Sequence, residues 1–442
     1  MDSIAFSSNS LVTPSGCNCG QLARGVIDAK PFLIKTDSII TGLKNEKSGK
    51  HYILIEKGKI KEIGILSELR KSLSNINSFE YKNSTALPGL VDGHTHMIAP
   101  GTGQRGDDIA KEQDEFLLIR AVKNAKLALE SGVTTARENG AKNNIGFILK
   151  EAIKNKLTDG PEMIVCGRPL TITAGHMGYL GSETDGINEI KKETRKLIKE
   201  GADFLKIAAT GGSTLTSNPL QPAFSVEELK SISEEAKRFN KLTAAHCTSN
   251  LGIDFSLQAK IDMIIHCIFD DENGNYKYRE DLVEKILKNE TWINPTLQIS
   301  IYGLENIKEN LSNKKILSEQ EKSLLDSSKK QLDSRFETVS KLITSGAKIM
   351  AGSDSPWGSY PPGKFYKEIE ALNIAGMSNY ESILAGTKYS AESIGLKNKS
   401  GTIEEGKDAD IVIVKGNPLK NISCLSEPIQ VYKQGIKQKN EL

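Results

Sequence analysis

The chain has 442 residues, with 58 basic and 56 acidic side chains and a formal net charge of +2. That length fits a barrel of roughly 250 to 300 residues plus a smaller companion unit. Basic residues are scattered through amphipathic segments, which argues against nucleic acid or an anionic membrane as a partner, and no apolar stretch approaches the ~20 residues that span a bilayer.

Residues 1–30 are rich in Ser and Asn, contain Cys17 and Cys19, and lack the basic start and apolar core of a secretory signal. An irregular N-terminal arm in a cytoplasmic protein is expected; sparse acidic residues leave a mitochondrial transit segment as the alternative, against which stands the missing Arg-rich pattern. From Pro31 to Ala86 the texture is strand-like, with runs at Phe32 to Ile34, Tyr52 to Ile55 and Ile60 to Ile63. It returns at the end, where Gly401-Thr-Ile-Glu-Glu-Gly-Lys-Asp-Ala-Asp410 leads into the alternating run Ile411 to Val414. Segments 31–86 and 397–442 are therefore expected to share one small β-sandwich domain.

Between them, over residues 87–396, strand-length apolar runs alternate with helical patterns, the signature of repeated βα units around a parallel sheet. The runs are Leu87 to His96, Val133 to Arg137, Met163 to Cys166, Phe204 to Ala208, Leu242 to His246, Met263 to His266, Trp292 to Asn294 and Lys348 to Asp354. Helical spacing fills the intervals, as at Ile187 to Glu200 and Ser225 to Phe239, where Ser225 and Glu228 form a capping box. Cys166, Cys247 and Cys267 fall inside apolar runs and read as small packed hydrophobes, consistent with a reducing compartment. The polar segments from Asp270 to Glu280 and from Tyr302 to Glu319 read as solvated insertions, with pocket walls or subunit contacts as the alternative.

An α/β fold with a (β/α)8 TIM barrel and a doubly wound open sheet share this local pattern; the placement of polar residues selects the barrel. Five of the six histidines, with Lys206 and Asp354, sit at or just beyond the C-terminal ends of the runs, the face where barrel enzymes build their sites. His94 and His96, two apart on a strand, project from one face. A lone His-x-His suits an outward polar face equally well, but here Pro88-Gly-Leu-Val-Asp92-Gly93 delivers the pair from an apolar strand into a turn. His246 ends Leu242-Thr-Ala-Ala-His246, His266 ends Met263-Ile-Ile-His266, and Asp354 follows the eighth run, which a barrel places beside the first. Imidazole and carboxylate ligands suit Zn²⁺, with Mn²⁺, Fe²⁺ and Co²⁺ open alternatives. Such an ion lowers the pKa of bound water to about 7 and polarises a carbonyl, and Asp354 is suited to carry the proton to the leaving group.

With these motifs assembled, the chain from Lys30 to Pro418 resembles the amidohydrolase superfamily, and within it the imidazolonepropionase-like branch that includes metal-dependent dipeptidases and carboxypeptidases. The resemblance rests on Gly93-His-Thr-His96, Gly201-Ala-Asp-Phe-Leu-Lys-Ile-Ala-Ala-Thr-Gly-Gly212, Ala245-His246, Ile265-His266 and Ala351-Gly-Ser-Asp354. It implies one metal on His94, His96 and Asp354 and a second on His246 and His266. Lys206 would bridge the two as a carbamate formed with CO2, since a cationic ammonium beside two dications would be strongly repelled. It also implies that His176, in Thr171-Ile-Thr-Ala-Gly-His176-Met-Gly178, contacts the substrate carbonyl.

The sequence departs from the family at Arg137-Glu-Asn-Gly140, where many relatives read Arg-Asp followed by small residues, and in the His-Met-Gly loop, usually His-Gly. Both changes bear on the substrate. The function expected is hydrolysis of an amide C–N bond in a small molecule, a dipeptide or N-acyl amino acid, by metal-activated hydroxide, with Arg168 or Arg137 receiving a substrate carboxylate. Cyclic-amide hydrolysis or deamination is the alternative, and a non-catalytic assembly protein a third reading that the intact ligand set opposes. The partners expected are the small-molecule substrate and further copies of this chain in a homo-oligomer, with neither nucleic acid nor membrane.

Overall fold

The protein is described here by a computed structural model covering residues 30–43, 49–314 and 316–438. The arm expected over residues 1–30, apart from Lys30, lies outside the described residues. Four strands come first: β1 (Phe32–Ile39), β2 (His51–Glu56), β3 (Lys59–Ile65) and β4 (Asn77–Pro88). Seven short strands follow, each separated from the next by helix or loop: β5 (Leu90–Thr95), β6 (Val133–Glu138), β7 (Glu162–Val165), β8 (Phe204–Ala208), β9 (Leu242–His246), β10 (Met263–Ile265) and β11 (Trp292–Asn294). Near the end come β12 (Ile411–Lys415), β13 (Pro428–Lys433) and β14 (Ile436–Lys437).

Both ends of the chain build one seven-stranded sheet, in the order β14-β13-β12-β4-β1-β2-β3. β4 is its centre, parallel to β1 on one side and antiparallel to β12 on the other. Alternate residues turn inward, so that Ile34, Ile53, Ile55, Ala86, Ile411, Ile413 and Tyr432 pack into one apolar layer. The first run of the sequence reading, Leu87 to His96, divides between two sheets: β4 stops at Pro88, and β5 begins at Leu90. Gly89 makes the crossing, where a Cβ would lie 2.1 Å from Thr134 Oγ1.

The remaining strands form two parallel sheets, β5-β6-β7 and β11-β10-β9-β8. All residues of β5, β6 and β8 are buried, as expected of parallel strands covered on both faces. The covering helices show why. Gly186–Glu200 buries Ile190, Thr194 and Leu197 at helical spacing, and Val226–Arg238 buries Leu229, Ile232 and Ala236. The second helix starts in the predicted capping box, with Ser225 Oγ accepting from Glu228 N and Glu228 Oε2 accepting from Ser225 N.

Single backbone links join the edges of these sheets. Asp203 N donates to Val165 O and Leu170 N to Lys206 O, from the β7 side to β8. The eighth predicted strand, Lys348 to Asp354, is not a continuous strand; it makes parallel bridges only at Ile349 with Ile293 and, just beyond it, at Ser355 with Thr95. Its pairing breaks because Asp92 captures Ser353, accepting from its N at 2.9 Å and its Oγ at 2.6 Å, and because Asp354 takes a left-handed backbone with φ +65°. Among the described residues, no helix is long and apolar enough to cross a membrane.

Candidate active site

At the C-terminal ends of the parallel strands lies a cavity of about 390 Å³ into which His94, His96, His176, Lys206, His246, His266 and Asp354 all project. Side chains scattered over some 260 positions of sequence therefore meet at one place. His266 is partly buried, and the other six are almost fully buried.

Three ligand atoms converge most closely. His94 Nε2 lies 3.3 Å from His96 Nε2 and 3.3 Å from Asp354 Oδ1, and His96 Nε2 lies 3.4 Å from the same oxygen. The outer ring nitrogens fix the tautomers. His94 Nδ1–H donates to Asn294 Oδ1 at 2.9 Å, the Asn294 amide being oriented by its own donation to Gly352 O at 3.0 Å. His96 Nδ1–H donates to Gly140 O at 3.0 Å. Both Nε2 atoms thus present lone pairs to each other and to a carboxylate oxygen, an arrangement that calls for a cation between them.

His246 and His266 stand beside this group, with ring centroids 4.6 Å apart. His246 Nε2–H donates to Gly211 O at 3.0 Å, leaving Nδ1 as its lone pair. His266 Nδ1 lies 2.6 Å from Thr296 Oγ1. His266 leaves its strand with φ +65°, as Asp354 does, a backbone state that costs a non-glycine residue on the order of 1 to 3 kcal/mol. Hydrogen bonds hold both turns: His266 N to Asn294 O and Asp354 N to His94 O, each 2.8 Å.

Electrostatics follow from burial. Burial above all, then neighbouring cations including Lys206, keeps the five imidazoles neutral, with His96 and His176 pushed down to about 3. Burial lowers the proton affinity of Lys206, with Asp354 opposing, and raises that of Asp354, with Lys206 opposing. The Lys206 ammonium has no hydrogen bond or ion pair among the described residues. His176 Nδ1 lies 2.9 Å from Thr214 Oγ1, which accepts from Met177 N at 3.0 Å. With Thr214 donating its hydroxyl proton to Nδ1, the Nε2–H of His176 remains a free donor.

The two arginines expected at the substrate do not line the cavity. Arg137 is buried between the strands: Nε donates to Gly93 O at 2.8 Å, and the guanidinium lies 4.7 Å from the Phe204 ring centroid. Arg168 pairs with Glu193 and Glu200 and donates to Asn143 O and Ser182 Oγ, so its donors are spent on structure. The arginine that lines the cavity, among the described residues, is Arg335, from the helix Glu319–Thr344. Its guanidinium donates to Ser300 Oγ, Pro295 O, Thr296 O and Thr296 Oγ1, tying the helix to the turn that carries the partner of His266. Nothing in the sequence singles out Arg335, one basic residue in a polar helix. Asp270, in a segment read as a solvated insertion, and Trp357, whose ring centroid is 5.0 Å from that of His96, also line the wall.

This constellation defines a hydrolytic centre of the amidohydrolase type. Residues 85–437 match the Amidohydrolase family, and the chain belongs to that family. It is a hydrolase acting on carbon–nitrogen bonds. An ochratoxinase of Aspergillus niger is 26% identical over 440 residues, covering 91% of this chain and 84% of that protein. An imidazolonepropionase of Thermoplasma volcanium is 23% identical over 386 residues, covering 82% and 83%. Among solved structures, a Xaa-Pro dipeptidase with bound methionine superposes with a TM-score of 0.80 at 24% identity, covering 92% of this chain and 100% of that one. The structure of the Aspergillus niger ochratoxinase gives 0.76 at 24% identity, covering 93% and 96%.

Proposed function

We propose that the protein hydrolyses the amide bond of a small substrate, a dipeptide or N-acyl amino acid, with two divalent cations of which Zn²⁺ is the best fit. The observation that carries this is the convergence of His94 Nε2, His96 Nε2 and Asp354 Oδ1 at 3.3 to 3.4 Å, with both imidazole lone pairs turned toward the carboxylate. Such spacing fits the edge of a tetrahedron of ligand atoms about 2.0 Å from one ion. His246 and His266 would hold the second ion, and Lys206, buried and without an ion pair among the described residues, fits a carbamate bridge formed with CO2. The two parallel sheets and the Lys348 to Asp354 segment are read as one closed (β/α)8 barrel, which explains why the first and last of these ligands are neighbours.

Bound there, the ions would acidify a water molecule to a pKa of about 7 and polarise the amide carbonyl. Asp354, whose carboxylate borders the cavity beside His94 and His96, accepts the proton lost by water and returns it to the departing nitrogen. His176 Nε2–H, with Nδ1 fixed by Thr214, donates to the carbonyl oxygen as charge develops there. The partly buried apolar side chains of Trp357, Ile268 and Ile299 on the cavity wall would hold the apolar part of a substrate.

Metal analysis of the purified chain should return close to two divalent ions, and a screen of the loaded protein against dipeptides, N-acyl amino acids and cyclic amides should give turnover in one of the first two classes. One ion persisting in bicarbonate and excess metal, with turnover confined to cyclic amides or amino-substituted rings, would overturn the reading. Thr296→Val removes the oxygen that orients His266 while keeping the side chain's shape. It should weaken metal affinity about 10- to 100-fold, and titration with a chelator would measure it.

A further inference from the structure

Among the described residues, the cavity wall carries two carboxylates. Asp354 belongs to the histidine cluster; Asp270 stands outside it, among Ile268, Leu220 and Gln331. Its backbone is fixed, since Asp270 O accepts from Asn250 N at 2.8 Å and the residue bridges to Tyr276. Its carboxylate, though half-buried, has neither hydrogen bond nor ion pair among the described residues. Arg335 is close enough to act on it electrostatically but forms no ion pair with it, its Nη1 and Nη2 atoms donating instead to Ser300, Pro295 and Thr296. Burial, reinforced by Asp271, raises the Asp270 carboxyl to about 6, against the pull of Arg335.

A half-buried carboxylate without a partner, on a largely apolar wall facing the reacting groups, is costly to the free protein and is relieved by a ligand that brings its own cation. We infer that Asp270 receives a protonated nitrogen of the substrate, so that the amides accepted are those bearing an ammonium or guanidinium group. The inference rests on the amide-hydrolase reading and narrows it: a neutral-ended N-acyl amino acid leaves Asp270 unpaired, whereas a dipeptide offers either its α-ammonium or a basic side chain.

Two arms separate those sources. Ala-Leu is compared with N-acetyl-Ala-Leu, and N-acetyl-Ala-Arg with N-acetyl-Ala-citrulline, in the metal-loaded wild type and in Asp270→Asn. In one arm the wild type should favour the cationic member in kcat/KM by roughly 10- to 100-fold, and Asp270→Asn should bring that ratio close to one. Calorimetric binding of phosphinic analogues of the same four compounds supplies a second reading that does not need turnover. A cation-to-neutral ratio in rate and binding that is the same in both proteins, in both arms, would overturn the assignment. No turnover in any arm, with a binding preference that still disappears in Asp270→Asn, would overturn the amide reading and leave the cation site standing.

Discussion

Asp354→Asn is expected to lower kcat by roughly 10²- to 10⁴-fold with the fold retained, the range that a positioned acid–base group contributes. Asparagine matches aspartate in shape, so the turn at φ +65° and the donation from Asp354 N to His94 O can persist. What changes is the chemistry at the end of the side chain. An amide cannot hold the proton that water gives up, and its NH2 group, if turned toward His94 and His96, sets a donor against the lone pairs that now face Oδ1. Steady-state kinetics, with circular dichroism melting as the control for folding, would measure the effect. A variant that retains more than a tenth of wild-type kcat would remove Asp354 from proton transfer.

Lys206→Ala should have an effect of the same order for a different reason. Lys206 lies mid-strand in β8, fully buried, lining the same cavity as the imidazoles of His94, His96, His246 and His266 and without an ion pair among the described residues. Truncation to alanine leaves the strand's hydrogen bonds intact but removes the anion that the carbamate would supply between two dications. Metal content should fall from two ions toward one. Activity should fall further than the 10- to 100-fold typical of losing a partner that only orients a ligand, and a short carboxylic acid such as propionate should restore part of both. Full metal content and near-normal turnover in the variant would show that no bridge forms at this lysine.

Much of the site was legible because strand ends are legible. An apolar run that stops at a histidine, as at Leu242-Thr-Ala-Ala-His246, states both where the strand lies and where its polar side chain emerges. The ring-nitrogen partners were not legible in this way. Asn294, Thr296 and Thr214 are common residues in turns, and their role is set by which imidazole the fold brings opposite them. Arg137 and Arg168 misled for a related reason. Their positions after strand ends suit a substrate contact, but a guanidinium with five donors is also the group best able to cross-brace backbone and carboxylates, and here it does so. In the fold, Pro88-Gly89 marks a break within the run Leu87 to His96 but not that the chain changes sheet there, because the restriction on Gly89 is the Thr134 side chain, distant in sequence. β4, rich in polar residues before Ser84, gave no apolar run over most of its length, although it is the centre of its sheet.

The position of β4 also bears on the order in which the polypeptide can assemble during synthesis. One of its edges pairs at once with β1, which precedes it. Its other edge, from Ser84 to Pro88, waits for Ile411 to Lys415, which leave the ribosome only after every histidine of the cavity. Until then the nascent chain carries an open strand edge directly attached to the segment bearing His94 and His96, and such edges invite pairing with other chains. A circular permutant that joins the two terminal segments and opens the chain elsewhere would bring β12 and β4 out together, and should refold with less aggregation than the natural order.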